Sequence, residues 1–213
     1  MLSICITCKN RSLIDINGDK LKLLPNCIDS ILAIVTDIDE KVELVISDWD
    51  SDDWPLKEWL PQKVDGKISL NLVSLKKEGF SRGQGRNIAF QKSKGDKIFF
   101  VDADMLFESS YVFNKGLQVL KKGMAFLPIC FSYKDIHHIN GWWRATGFGN
   151  IMVNRDTFIT VGPWWEKDTW GKEDDDIMFK LSKIVKISRE NTPGFFHQWH
   201  PNELEWKERY KSS

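Results

Sequence analysis

An apolar run that ends at two carboxylates constrains this chain more than any other feature. Lys97-Ile98-Phe99-Phe100-Val101 leads into Asp102-Ala103-Asp104, and Gly95-Asp96 bounds the run on its other side. Its length and composition are those of a strand buried on both faces. Acids placed where such a strand emerges lie at the carboxyl edge of a sheet, where open α/β folds bind ligands. Two carboxylates with no basic residue beside them repel each other unless a cation holds them together. Taken alone, Asp-x-Asp is an ordinary acidic turn, so its meaning depends on what surrounds it.

Strand-like and helix-like patterns alternate along the chain. Residues 2–7 read as an apolar strand, followed by the loop Cys8-Lys9-Asn10-Arg11. From Leu24, apolar residues recur at Ile28, Ile31, Leu32 and Val35, which is helical spacing. A second strand over 42–46 ends in the acidic Ser47-Asp48-Trp49-Asp50-Ser51-Asp52-Asp53, and a third covers 68–73. Ser81 can cap a helix running through Arg86, Ile88 and Phe90. The strand into Asp102, a helix over 111–120 and a strand near 124–129 follow. This order predicts an α/β fold whose mainly parallel sheet carries helices on both faces. After about Ser132 the composition shifts to Trp, Gly, His and Asp, as expected of a specificity region laid on the same sheet.

Charge and cysteine content exclude several classes. Thirty basic and thirty acidic residues cancel, so no global field draws nucleic acid or an anionic membrane. No apolar stretch approaches the ~20 residues of a membrane span, and the N-terminus lacks the form of a signal peptide. Cys5, Cys8, Cys27 and Cys130 make no disulfide framework, and Cys5-x-x-Cys8 has no second pair to complete a zinc site. Reduced structural thiols and a cytoplasmic location are expected. The ten tryptophans lie mostly in polar, Gly- or Pro-containing segments, where burial alone explains them poorly.

Other motifs fail on inspection. Asp48-Trp49-Asp50-Ser51-Asp52 begins like an EF-hand loop, but Asp53 stands at its sixth position and Trp59 at its twelfth. Gly83-Gln84-Gly85 begins like a dinucleotide fingerprint, but Ile88 replaces the third Gly. There is no Gly-Lys-Ser/Thr phosphate loop and no Gly-x-Ser-x-Gly nucleophile turn.

What survives sits at successive strand ends. Asp48 can accept the N–H of a pyrimidine base, or act as a turn acid capping the next helix. Arg82 and Arg86, four apart, share a helical face and can hold a diphosphate, orient carboxylates, or simply be solvated. Trp170-Gly171-Lys172-Glu173-Asp174-Asp175-Asp176 gathers four acids ahead of an apolar segment. Adjacent like charges are costly unless a helix N-terminus, a metal or a partner compensates, and the helix dipole alone could account for two or three.

Together these segments resemble the family 2 glycosyltransferases of the GT-A fold. The later part resembles the C-terminal segment of β-1,4-galactosyltransferases and chondroitin-type polymerases. Ser3 to Arg11 resembles the family's opening strand and Thr-x-Asn-Arg loop, and Glu43 to Asp48 its strand ending in a uracil-binding Asp. Trp49 stands where a second Asp is usual. Phe80 to Asn87 resembles the Arg-x-x-x-Arg-Asn element, and Gly147 to Val153 with Arg155 to Phe158 the acceptor-side strand and helix. Trp170 to Asp176 resembles the galactosyltransferase Trp-Gly-Gly-Glu-Asp-Asp-Asp, with Lys172 for the second Gly. His197-Gln198 matches the late metal-ligand His.

The resemblance implies a residue-by-residue division of labour. Thr7, Asn10, Arg11, Asp48, Arg82, Arg86 and Asp102 would bind the nucleotide. Asp104 and His197 would hold Mn²⁺ or Mg²⁺, with Asp102 on the ribose or a metal-bound water and His200 as a rival ligand. Asp174 would be the general base, and Trp170, Glu173 and Asp175 would bind the acceptor. Trp164 or Trp165 could also stack on sugars, and 162–171 could form a lid. The expected whole is one GT-A domain over 1–213: a nucleotide-binding half to about 104, an acceptor half over 105–200 and a polar tail over 201–213. Its expected activity is metal-dependent, inverting transfer from a UDP-sugar to a hydroxyl of a glycan or other acceptor. A noncatalytic carbohydrate-binding protein and a sugar nucleotidyltransferase are the alternatives. The latter needs a Gly-rich basic loop after the first strand, which Cys8-Lys9-Asn10-Arg11 does not supply.

Overall fold

A computed structural model describes residues 1–16, 18–76, 79–167 and 172–201. The chain opens with β1 (Leu2–Cys8), the hairpin of β2 (Ile14–Ile16) and β3 (Asp19–Leu21), and α1 (Leu23–Ile34). β4 (Val42–Asp48), α2 (Leu56–Val64), β5 (Ser69–Ser74), α3 (Arg82–Lys92) and β6 (Lys97–Asp102) follow. Next come β7 (Met105–Phe107), α4 (Tyr111–Lys121), β8 (Ala125–Phe126), β9 (Ile129–Tyr133), β10 (Gly141–Trp143) and β11 (Ile151–Asn154). The described part closes with α5 (Arg155–Val161), α6 (Glu173–Ile184), β12 (Ile187–Ser188) and β13 (Asn191–His197).

The main sheet has seven strands in the order β12-β8-β11-β6-β1-β4-β5. β6, β1, β4 and β5 are parallel, and their register brings Thr7 beside Asp102 and Cys8 beside Asp48. The carboxyl ends of three strands thus finish level with one another. β11 runs antiparallel between β6 and β8, so the later part of the chain completes the sheet begun by the first.

Every residue of β1 is buried because both faces of the sheet are covered. Ile4, Ile6, Ile46, Phe99 and Val101 pack with α1, α2 and α4 on one side. Cys5, Val45, Ile98 and Phe100 pack on the other with Ala89 of α3, Phe158 of α5 and Ile177 and Leu181 of α6. Alternation along the pleat assigns each side chain its face. It also separates Cys5 from Cys8, which lie in opposite cores. All four cysteines are free and buried, and burial pushes the Cys5 thiol up to about 12 and Cys130 to about 11. They are inert thiols rather than a redox or zinc pair.

Ser81 caps α3 as its sequence suggests, its hydroxyl accepting from the Gln84 N–H at 3.3 Å. Two elements differ from expectation. The strand expected near 124–129 is broken into β8 and β9 around Pro128, which cannot donate to a ladder. α2 was not anticipated; Leu56, Trp59, Leu60 and Val64 fall on its buried face, while Pro61 inside it masks the pattern. A second sheet, β10-β9-β13-β7, includes β7, which starts just past the carboxyl end of β6. No helix among the described residues is long and apolar enough to cross a membrane.

Candidate active site

The loops after β1 and β4 are locked together. Asn10, with φ of 51°, accepts from the Asp52 N–H at 3.1 Å and donates through Nδ2 to Asp52 Oδ1 at 2.8 Å. Its own N–H donates to Ser51 Oγ at 2.9 Å, and Ser51 Oγ donates to Asp48 Oδ1 at 2.6 Å. Asp53 accepts from the Leu13 N–H at 2.7 Å. Asp48, Asp52 and Asp53 therefore serve loop amides and hydroxyls. Asp48 is buried at the strand end with its Oδ1 fixed by Ser51. Trp49, in the place of a second Asp, is buried edge-on to Phe80. Thr7 is buried with its Oγ1 3.4 Å from Ser47 O, and Arg11 Nη1 lies 3.5 Å from Asn10 O. A side chain at Gly85 would collide with Thr7 and Trp49, so glycine lets α3 lie against β1 and β4.

α3 aims both of its arginines at the acids of α6 and β6. Arg86 is 1% exposed. Its Nη2 donates to Asp102 Oδ1 at 2.6 Å and its Nη1 to Asp174 Oδ1 at 2.8 Å. The guanidinium stacks on the Trp164 ring, 4.2 Å from its centroid. Arg82 Nε donates to the buried Glu173 at 2.7 Å and lies 3.7 Å from Asp174. Burial opposes charge on Asp174, but Arg86 and Arg82 outweigh it and hold the carboxyl below its usual range. Of the four acids opening α6, Glu173 and Asp174 face this arginine pair, Asp176 pairs with Lys180 at 2.6 Å, and Asp175 is exposed. Helix-start charge explains Asp176 but not a buried Glu173. Lys172 adopts φ of 71°, the left-handed conformation that glycine takes readily.

Asp102 and Asp104 have different surroundings. Asn150 accepts from the Asp102 N–H at 3.0 Å and donates to Asp102 Oδ2 at 3.3 Å, so both carboxylate oxygens of Asp102 are engaged. Asp104 instead faces His197 and His200, whose Nε2 atoms lie 3.7 and 3.2 Å from its Oδ2. These three form a group able to hold a metal ion, their ligand atoms all within 4.8 Å of one another. Asp102 is not part of that group, and His200 joins His197 rather than competing with it. Asp104 Oδ1 is buried without a partner among the described residues.

The histidines are oriented from behind. His197 Nδ1 lies 3.1 Å from Ser132 Oγ, and His200 Nδ1 donates to Pro201 O at 3.0 Å. Because that carbonyl can only accept, a neutral His200 turns the lone pair of Nε2 toward a carboxylate. Such a pairing is repulsive unless a cation, proton or metal, lies between them. Burial lowers the His197 pKa; in His200 the bond to Asp104 outweighs burial and raises it. Gln198 holds the turn between them: its N–H donates to Asp104 O at 2.9 Å and its Nε2 to Leu23 O at 3.0 Å. The orphaned oxygen, two backed imidazoles and a carboxylate fit a divalent first-row cation.

Other expectations need correction. Trp164 is 1% exposed and lies beneath Arg86, so it cannot stack on a sugar, whereas Trp165 is 44% exposed. The lid expected over 162–171 is tied down through 166: the Trp164 N–H donates to Asn87 Oδ1 at 2.9 Å, and Asn87 Nδ2 to Glu166 at 2.9 Å. Trp170 and the tail beyond 201 lie outside the described residues. His200 as a partner to His197, and the roles of Asn150 and Ser132, were not read from the sequence, since hydrogen bonds across strands leave no spacing signal.

A profile of "Glycosyl transferase family 2" matches residues 3–190. The chain belongs to glycosyltransferase family 2. Human chondroitin sulfate N-acetylgalactosaminyltransferase 2 is 30% identical over 155 residues, covering 62% of this chain and 28% of that protein. The mouse chondroitin sulfate N-acetylgalactosaminyltransferase 1 is 29% identical over 144 residues, covering 57% of this chain and 27% of the relative. The chain thus matches just over a quarter of the length of these curated relatives. Among solved structures, S. aureus TarS 1–349 in complex with UDP-GlcNAc superposes with a TM-score of 0.71 at 14% identity, covering 94% of this chain and 59% of that one. Mannosyltransferase PcManGT from Pyrobaculum calidifontis, in complex with GDP-Man and Mn²⁺, gives 0.68 at 12% identity, with 98% and 60% covered. The fold is that of the GT-A glycosyltransferases.

Proposed function

We propose that this glycosyltransferase moves a sugar from a UDP-sugar to a hydroxyl of a glycan acceptor, with a divalent cation and with inversion at the anomeric carbon. The observation that carries this reading is that Arg86 bonds Asp174 to Asp102, two residues before Asp104 of the Asp104–His197–His200 group. Asp104, His197 and His200 would hold Mn²⁺ or Mg²⁺ on the donor side. Such an ion, when bound, offsets the negative charge that develops on a departing diphosphate.

The remaining chemistry falls to side chains. Asp48, fixed by Ser51, is suited to accept the N–H of uracil, and Asn10 and Arg11 line the same edge. Asp102, held by Arg86 and Asn150, is suited to meet the ribose. Asp174 serves as the base. Its carboxylate takes the acceptor hydroxyl proton as that oxygen bonds to the anomeric carbon and the bond to the diphosphate breaks, the electron pair leaving with UDP. The two arginines keep Asp174 ionised at neutral pH. Attack from the face opposite the leaving group inverts the centre. Similarity to chondroitin sulfate N-acetylgalactosaminyltransferases supports an amino-sugar donor and a polysaccharide acceptor.

The test is a panel of UDP- and GDP-sugars with Mn²⁺ and with EDTA, scored for nucleotide release and for anomeric configuration by proton coupling. Uridine donors turning over only with metal, and an inverted product, are expected. Full activity in EDTA, or a retained anomer, would sink the reading. Asp48→Ala should cost uridine nucleotides about 1–3 kcal/mol of their preference over guanosine ones.

A further inference from the structure

The face of the small sheet that carries His197 continues past the metal-ligating group. Trp142 on β10 pairs with Ser132 on β9, Ser132 with His197 on β13, and His197 with Met105 on β7. Paired residues share a face, so these four side chains form one row. It is the face on which Cys130 and Ser132 are buried. At the usual strand spacing Trp142 lies two strands, about 10 Å, from His197. Yet Trp142 is 45% exposed. Its neighbour Trp143 points to the other face and packs edge-on against Phe131, with centroids 5.5 Å apart. Trp142 has no such partner in the described residues; its ring meets only the ammonium of Lys134, 5.4 Å from its centroid.

Arg144, two residues on, returns to the same face. Its N–H donates to Cys130 O at 2.9 Å, extending the ladder. Its guanidinium lies beside Gly147, and its charge bears on Cys130, His197 and Asp174. No carboxylate of the described residues forms an ion pair with it. A flat apolar ring and an unpaired cation thus stand two residues apart on the face that carries His197.

We propose that Trp142 and Arg144 form an acceptor subsite for a negatively charged sugar. The indole stacks on the apolar face of a pyranose ring, and the guanidinium pairs with the ring's carboxylate or sulfate, with Lys134 at the rim. A planar carboxylate allows a forked pair of hydrogen bonds. This inference rests on the glycan-acceptor reading above and adds the charge of the acceptor to it.

The test uses the full chain with UDP and Mn²⁺ and ligand-observed NMR titration of methyl glycosides. Gluco and galacto sugars are each taken as uronic acid, 6-sulfate and neutral forms. At least one charged series should bind about tenfold or more tightly than its neutral counterpart; the uronic acid and sulfate arms identify which. Arg144→Gln should erase that difference while leaving the neutral glycoside unchanged, and Arg144→Lys should restore part of it. Trp142→Ala should weaken all forms, whereas Trp143→Ala, on the far face, should behave as wild type. Neutral glycosides binding as well as charged ones, an unaffected Trp142→Ala, or no glycoside binding while UDP still binds, would each overturn the subsite alone. Failure of the wild type to bind UDP with Mn²⁺ would overturn the donor reading and this inference with it.

Discussion

Asp102 and Asp174 share one guanidinium: Arg86 donates to the first at 2.6 Å and to the second at 2.8 Å. The first closes a strand of the main sheet and the second opens α6, so a single buried cation ties the donor edge to the proposed base. The arrangement stores a large electrostatic imbalance should either side be lost.

Arg86→Met should therefore destabilise the fold by about 3–5 kcal/mol, the range for leaving buried charges without their partner. Urea denaturation reads it directly. Arg86→Lys keeps the charge but cannot donate to both acids at once, and should lose less. The effect depends on pH in a defined sense. Asp174 is held below its ordinary carboxylate range in the folded protein, so its stabilising contribution is present above the unfolded value near ~3.9 and fades as pH falls through the folded one. Arg86→Met should consequently unfold at a higher pH than wild type. A loss under about 1 kcal/mol would mean that the two acids are compensated by something other than Arg86.

Metal affinity should track the three donors unequally with their backing. Asp104→Asn and His200→Ala, which each remove a direct ligand, should weaken Mn²⁺ binding by about a hundredfold or more, read by calorimetry in the presence of UDP. Ser132→Ala, which only removes the support behind His197 Nδ1, should cost about 10-fold. Mn²⁺ binding that survives His200→Ala intact would remove His200 from the group and leave His197 with Asp104 alone.

Chemistry and binding should separate at α6. Asp174→Asn should keep UDP and Mn²⁺ affinity yet lose transfer by about a hundredfold or more. Asp176→Asn breaks only the surface pair with Lys180 and should change stability by roughly 0.3–0.5 kcal/mol, with turnover near normal. Equal, modest effects at both positions would assign all four acids to the helix start.

Lys172 offers a test of backbone strain. Its φ of 71° is one that a residue with a Cβ adopts at a cost of roughly 1–2 kcal/mol. Glycine loses more freedom on folding, so Lys172→Gly should stabilise the protein by a net of up to about 1 kcal/mol. A lower thermal midpoint in Lys172→Gly would contradict the left-handed conformation at this position.

The strands and most helices were legible in the sequence because burial on two faces demands continuous apolar runs, and burial on one demands helical spacing. β1, β4, β6 and α1 follow those patterns closely. Pro61 and Pro128 confused the reading because proline removes a hydrogen bond without deciding whether the chain continues beyond it. The acids at strand ends were legible for the same reason: a charge that interrupts an apolar run must lie where the strand leaves the core.

Partnership was another matter. Asp48, Asp102, Asp104 and Asp174 are all visible as acids, but only the tertiary structure decided that Arg86 takes Asp102 and Asp174 while two histidines take Asp104. Trp164 and Trp142 are equally tryptophans in polar segments; one became the floor beneath an arginine and the other stayed in solvent. The physical reason is range. Periodicity reports the environment a residue needs, set by its own chain neighbours, whereas pairing depends on register between strands far apart in the chain, which a single sequence does not encode locally.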